Sequence, residues 1–175
     1  MTLSFMPSPK DLEIIKKLDM GSPWVWIATL GGLGFFRPGP GTWGSLGALP
    51  LGVLIYLAGG ITGFAIAFAI FLLLGYFAAR DFERQSGQHD SKMVVVDELL
   101  GLWVAMLPAL VMDEVTWVHM GAAFVLFRLF DIWKPLPIKQ FDRDVNGAAG
   151  VIGDDIIAGQ YAAICLVGAM YAGLI

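Results

Sequence analysis

Arg128, Asp131 and Lys134 stand at i, i+3 and i+6 in the stretch R-L-F-D-I-W-K-P-L-P (128–137), beside a long apolar run. On a helix this spacing sets two cations and a carboxylate along one side, and Pro135 stops the helix directly after the lysine. An arginine grips phosphate oxygens through paired hydrogen bonds and a lysine as a point charge. Two acidic pairs lie in similar apolar settings, Asp97 with Glu98 and Asp154 with Asp155. A lone carboxylate in an apolar bundle is costly. Several at one depth let a cation offset their repulsion, and hard oxygen donors suit Mg²⁺. Asp97, Glu98, Asp131, Asp154 and Asp155 are therefore the candidate metal ligands, with Arg128 and Lys134 as the candidate phosphate grip. The plain alternative is a set of salt-bridged helix ends at a membrane surface.

Weaker candidates surround this set. R-P-G-P-G-T-W-G-S (37–45) reads as a loop or broken segment, because two prolines and three glycines interrupt a helix. It offers backbone N–H groups and the Thr42 and Ser45 hydroxyls to an anion, without the G-K-[ST] of a Walker A loop. His89 with Asp90 could serve as acid or base, or as a metal ligand, the alternative being a surface histidine in a polar loop. His119 falls within an apolar run and reads as packing or a helix–helix hydrogen bond. Cys165, the one cysteine, excludes an intramolecular disulfide and reads as a small packing residue. The only phosphoryl-transfer chemistry these residues support is metal-assisted, with water or an aspartate as nucleophile.

The elements that must carry these side chains are apolar. Of 175 residues 57% are hydrophobic and 15% charged, against roughly 25% charged in soluble domains, and mean hydropathy is +0.72. The composition points to one integral-membrane domain. The net charge of −4 argues against a nucleic-acid partner. Residues 9–21 space Leu12, Ile14, Ile15 and Leu18 as a short amphipathic helix, so residues 1–22 form an N-terminal segment suited to an interface. It lacks the apolar core of a signal peptide. Residues 24–36 are too short to span and read as a half-buried helix with a glycine-rich end.

No residue from Pro38 to Ala79 is charged, and Gly59-Gly60 divides that run. Spans at about 43–58, 61–79, 98–112, 115–128 and 155–175 are expected, several shorter than the roughly 20 residues that cross ~30 Å of hydrocarbon. This threading places all eleven Lys and Arg on one side, with residues 1–42, 80–97 and 128–154. The positive-inside rule makes that side cytoplasmic. The expected fold is an all-α polytopic membrane bundle with an N-terminal amphipathic interfacial helix. Gly101, four after Asp97, and Gly159, four after Asp155, would let helices approach closely beside the acids.

Six motifs run in order: G-P-G-T-W-G-S (39–45), H-D-S (89–91), V-D-E-L-L-G (96–101), F-R-L-F-D-I-W-K-P-L-P-I (127–138), F-D-R-D-V-N-G (141–147) and G-V-I-G-D-D-I-I-A-G (150–159). Together they strongly resemble bacterial phosphatidylglycerophosphatase A, over nearly the whole chain from Ser22 to Gly159. The resemblance implies a multi-pass inner-membrane enzyme that uses Mg²⁺ to hydrolyse the phospholipid phosphatidylglycerophosphate to phosphatidylglycerol and phosphate, its site facing the cytoplasm. It carries the acidic motifs to Asp97, Glu98, Asp131, Asp154 and Asp155, the basic ones to Arg128 and Lys134, and the glycine-rich motif to Pro40, Gly41, Thr42, Gly44 and Ser45.

Two rivals stand beside it. An ion-coupled transporter also uses intramembrane acids, but prefers them at the midplane, whereas these fall at one edge. A non-catalytic subunit gives no reason for Arg128 and Lys134 to accompany Asp131. Oligomeric state and selectivity among lipid phosphates are left open.

Overall fold

The structure, a computed structural model, describes residues 7–89, 91–140, 145 and 147–175. Over these the chain is all-α: α1 (Pro9–Ile15), α2 (Pro23–Ala28), a 3-10 turn at Leu33–Phe35, α3 (Pro40–Ser86), α4 (Val96–Val111), α5 (Trp117–Trp133) and α6 (Ala148–Tyr171). The long uncharged run becomes α3, which breaks at Gly60, where φ is 60° and ψ −162°. That backbone region is open essentially to glycine alone.

Trp103 shows which way the two arms of α3 run. Its indole Nε1 donates to the Ala48 carbonyl at 2.9 Å, and its ring lies 5.0 Å from that of Phe64 and 5.4 Å from that of Phe71. In a straight helix Ala48 and Phe64 would be about 24 Å apart. The arms 40–59 and 61–86 therefore fold back on each other, as the Gly59-Gly60 division predicts.

Beyond the first turn, which carries Asp97 and Glu98, α4 is apolar on every side, and such a helix must be surrounded. Leu99, Leu100, Leu102, Trp103, Ala105 and Met106 are fully buried, with α6, α3 and α5 packed around them. The crossing of α4 and α6 depends on the two glycines singled out by their spacing. A Cβ at Gly101 would lie 2.6 Å from the Asp155 carbonyl oxygen, and one at Gly159 would collide with the Gly101 carbonyl. The backbones touch directly, one turn below the acids.

α1 is shorter than the expected 9–21 helix and its apolar side is docked. Ile14 and Leu18 are buried in a cluster with Ala78, Ala79 and Phe82 of the second arm. Ser8 and Asp11 close a capping box at its start. Arg37 then clamps Asp11, Nε to Oδ2 at 2.8 Å and Nη2 to Oδ1 at 2.5 Å. Burial raises the Asp11 carboxyl, but the hydrogen bonds from Arg37 and Ser8 outweigh it and hold the pKa below the ordinary carboxylate value. The half-buried segment at 24–36 is the short α2 and the 3-10 turn, with Gly31 and Gly32 at positive φ between them.

The segment 37–45 departs from expectation. Only its first residues are irregular, and helix begins at Pro40. Proline is suited to the first helical position, where its missing N–H would have had no partner. α6 likewise starts at Ala148, not near Asp155, so Asp154 and Asp155 sit in its second turn. His119 lies at the start of α5, its Nδ1 2.7 Å from the Glu114 carbonyl and 3.0 Å from Thr116 Oγ1, a local cap and no helix–helix bond. Cys165 is exposed, not packed.

Among the described residues α3 and α6 are the helices long and apolar enough to cross a membrane. Only 6% of the most apolar window of α3 is buried, against 44% for α6. Most side chains of that window of α3 thus face the surroundings, while Ala48, Phe64, Ala78 and Phe82 of the same helix enter the core.

Gly159→Ala is expected to lower unfolding stability in detergent by about 1–3 kcal/mol, the cost of overpacking a tight contact, read by thermal denaturation. The lowered pKa of Asp11 gives its clamp a definite pH window. Its contribution is present above the unfolded carboxylate pKa of ~3.9 and is lost as pH falls through the lower folded value. Proteolysis within residues 9–37 should therefore quicken as pH drops below about 4, whereas Asp11→Asn should already be cut readily at neutral pH.

Candidate active site

Four helix ends converge on one cavity of about 320 Å³. The first turn of α4 brings Asp97 and Glu98, the second turn of α6 brings Asp154 and Asp155, and the last turns of α5 bring Arg128 and Asp131. Lys134 enters from the residue capping α5, and Gly39, Pro40 and Gly41 from the start of α3. All seven residues expected to be catalytic line this cavity. Residues as far apart in the chain as Gly39 and Asp155 meet there because α3, α5 and α6 are all held by the central α4.

The charges are paired in a fixed pattern. Arg128 Nη1 donates to Glu98 Oε2 and lies 2.9 Å from Asp131 Oδ2. Lys134 does not continue the helix as its spacing implied. It adopts a left-handed conformation, φ 44° and ψ 61°, which delivers its Nζ to Asp154 Oδ2 at 2.5 Å. Asp154 Oδ1 in turn accepts from the Asp155 N–H at 3.1 Å. Glu98 is also seated by Ser45, whose Oγ is 3.1 Å from Glu98 Oε2 and 2.9 Å from the Gly41 carbonyl. A Cβ at Gly41 would run into the Glu98 carboxylate, so only glycine lets that acid lie against the start of α3. The dipole of α3 favours a negative group there.

Two carboxylate oxygens stand apart. Asp97 Oδ1 and Asp155 Oδ2 are buried and have no hydrogen-bond partner among the described residues. Buried acceptors of this kind are rare without a reason. Their hardness, and their position beside three more carboxylates, fit a hard divalent cation in donor type. In this arrangement no three His, Cys, Asp or Glu side chains among the described residues converge as a ligand set. Arg128 and Lys134 hold Glu98, Asp131 and Asp154 instead.

The weaker candidates divide. Ser45 is fully buried and engaged with Glu98, so it positions an acid and does not face an incoming phosphate. Thr42 is exposed and does not line the cavity. His89 Nε2 accepts from the Gly147 N–H at 2.9 Å, outside the cavity wall, and so ties the start of α6 to the loop after α3. Asp90, and most of F-D-R-D-V-N-G, lie outside the described residues. Ser91, which closes the H-D-S motif, lines the cavity, and so does Lys92, which was not singled out from sequence. The signal was there: Lys92 is a lone cation directly before the apolar run that leads to Asp97, the same kind of junction that marked the acids.

Comparison with known proteins gives a consistent result. A family described as phosphatidylglycerophosphatase A matches residues 26–170. Phosphatidylglycerophosphatase A of Haemophilus influenzae is 36% identical over 159 residues, covering 90% of this chain and 94% of that protein. The protein of the same description from Escherichia coli K12 is 35% identical over 162 residues, 92% and 91% of the two chains. A Bacteroides thetaiotaomicron relative, provisionally described as a phosphatidylinositol-3-phosphatase, is 36% identical over 146 residues, 81% of this chain and 90% of that one. No solved structure matches. With the family match covering most of the chain and the motif-bearing residues gathered in one cavity, the chain belongs to the phosphatidylglycerophosphatase A family.

Proposed function

We propose that the protein is a Mg²⁺-dependent, multi-pass membrane lipid phosphatase that hydrolyses phosphatidylglycerophosphate to phosphatidylglycerol and phosphate, as one 175-residue domain. Family membership supports a lipid phosphatase in general. The observation that carries the finer reading is the single cavity shared by Arg128, Lys134 and five carboxylates. One-sided positive charge supports an inner-membrane topology with that cavity toward the cytoplasm.

The lipid's acyl chains stay in the bilayer while its phosphomonoester enters among the helix ends. Asp97, Glu98, Asp131, Asp154 and Asp155 would hold Mg²⁺, one ion or two, which would polarise the phosphoryl oxygens and neutralise charge. Arg128 and Lys134 exchange their carboxylate partners for equatorial phosphate oxygens, where charge spreads in the transition state. The start of α3 adds the Gly41 N–H at a positive helix end, since Pro40 has none and those of Thr42 and Trp43 donate to the Gly39 carbonyl. Ser45 keeps Glu98 in register throughout. The attacking oxygen comes from a water or from one of the aspartates.

In detergent micelles the wild-type protein should release phosphate from phosphatidylglycerophosphate, and removal of Mg²⁺ with a chelator should stop it. Asp131→Asn should lower kcat on the order of 100-fold or more, the usual loss for one group acting on developing charge. Equal release by wild type and variant would show that the site is elsewhere. Faster turnover of phosphatidylinositol 3-phosphate would move the substrate toward that of the Bacteroides relative.

A further inference from the structure

Arg128 lines two hollows and not one. Its guanidinium faces the acidic cavity, and the residue also borders a shallow trough of about 650 Å³ walled by Val125, Leu129, Ile132 and Trp133 of α5. Counting ~100° per residue, those four occupy a stripe about 100° wide, with Asp131 well round the helix and Arg128 between the two. The stripe is left without protein cover: Val125 is 63% exposed, Ile132 74% and Trp133 68%. From Val125 to Trp133 it runs about 12 Å along the helix. Trp133 stands at the end where Lys134 turns into the cavity.

We infer that this trough holds an acyl chain of the lipid phosphate, an inference that rests on the phosphatase reading above. A phosphate gripped by Arg128 places its glycerol and tails beside that same residue, and the surface next to it is an apolar strip parallel to the helix. Charge and apolarity thus meet at Arg128 as they do within the lipid. The other apolar hollow, about 560 Å³ between Leu72 and Leu73 of α3 and Ile152 and Ile156 of α6, does not serve. It opens on the side of α6 roughly opposite Asp154 and Asp155.

The test uses the full chain in mixed micelles at fixed lipid mole fraction, with dioleoyl and dihexanoyl phosphatidylglycerophosphate as substrates. Leu129→Trp fills the trough with a bulky, largely apolar ring. It should raise KM for the dioleoyl lipid about tenfold, the worth of roughly two buried methylenes, and leave kcat and both parameters for the dihexanoyl lipid within about twofold. Leu129→Ala, which removes contact without bulk, should shift the same KM in the same direction by a few-fold. Leu73→Trp, in the opposite hollow, should change neither substrate. An equal shift for both chain lengths, no shift at all, or the same effect from Leu73→Trp overturns the acyl site. Wild-type protein that hydrolyses neither lipid would instead sink the phosphatase reading, and the acyl site with it.

Discussion

Like charges held close together in an apolar bundle are the constraint to which this structure answers. Five carboxylates line the cavity against three cations, Arg128, Lys134 and Lys92, an excess of two negative charges when all are ionised. Burying charge costs several kcal/mol per ion unless partners are well placed. The observed pairing reduces that cost where it can, with Arg128 between Glu98 and Asp131 and Lys134 on Asp154. It leaves Asp97 and Asp155 each with a buried oxygen unserved. A divalent cation would offset an excess of that size, whereas a bare phosphate would deepen it, so the proposed phosphate substrate calls for such a cation beside it.

Backbone contact makes the crowding possible. α4 and α6 meet through Gly101 and Gly159 with no side chain between them, which draws the start of α4 and the second turn of α6 into one layer. Gly41 does the same for α3 against Glu98. Asp97 and Glu98 lie in the first turn of α4, where the helix dipole favours negative charge. The remaining burden falls on α5, whose cations come from its last two turns and its cap.

Much of this was readable from residues. Uncharged runs marked α3 and its division at Gly59-Gly60, and the acids at run ends marked the cavity wall. Gly101 and Gly159 were found by counting four from an acid. What escaped was nonlocal or depended on a turn. The start of α3 looked irregular because proline and glycine counts cannot distinguish a first helical turn from a loop. Ser45 looked like a phosphate ligand until Glu98, 53 residues away, was seen to claim its hydroxyl. Docking of α1 depends on Asp11 meeting Arg37 across 26 residues, which helical periodicity does not register. Resemblance supplied the substrate class, which spacing alone leaves open.

Lys134 has a consequence of its own. Its torsion angles are those that glycine or asparagine ordinarily take, and a side chain with a Cβ holds them at a cost of about 1–2 kcal/mol. Glycine there would give a more comfortable helix exit and leave Asp154 without its ammonium, while a residue content in the right-handed form would point the chain elsewhere. Backbone comfort and charge pairing therefore pull this position in opposite directions, and the lysine standing there satisfies the second at the expense of the first.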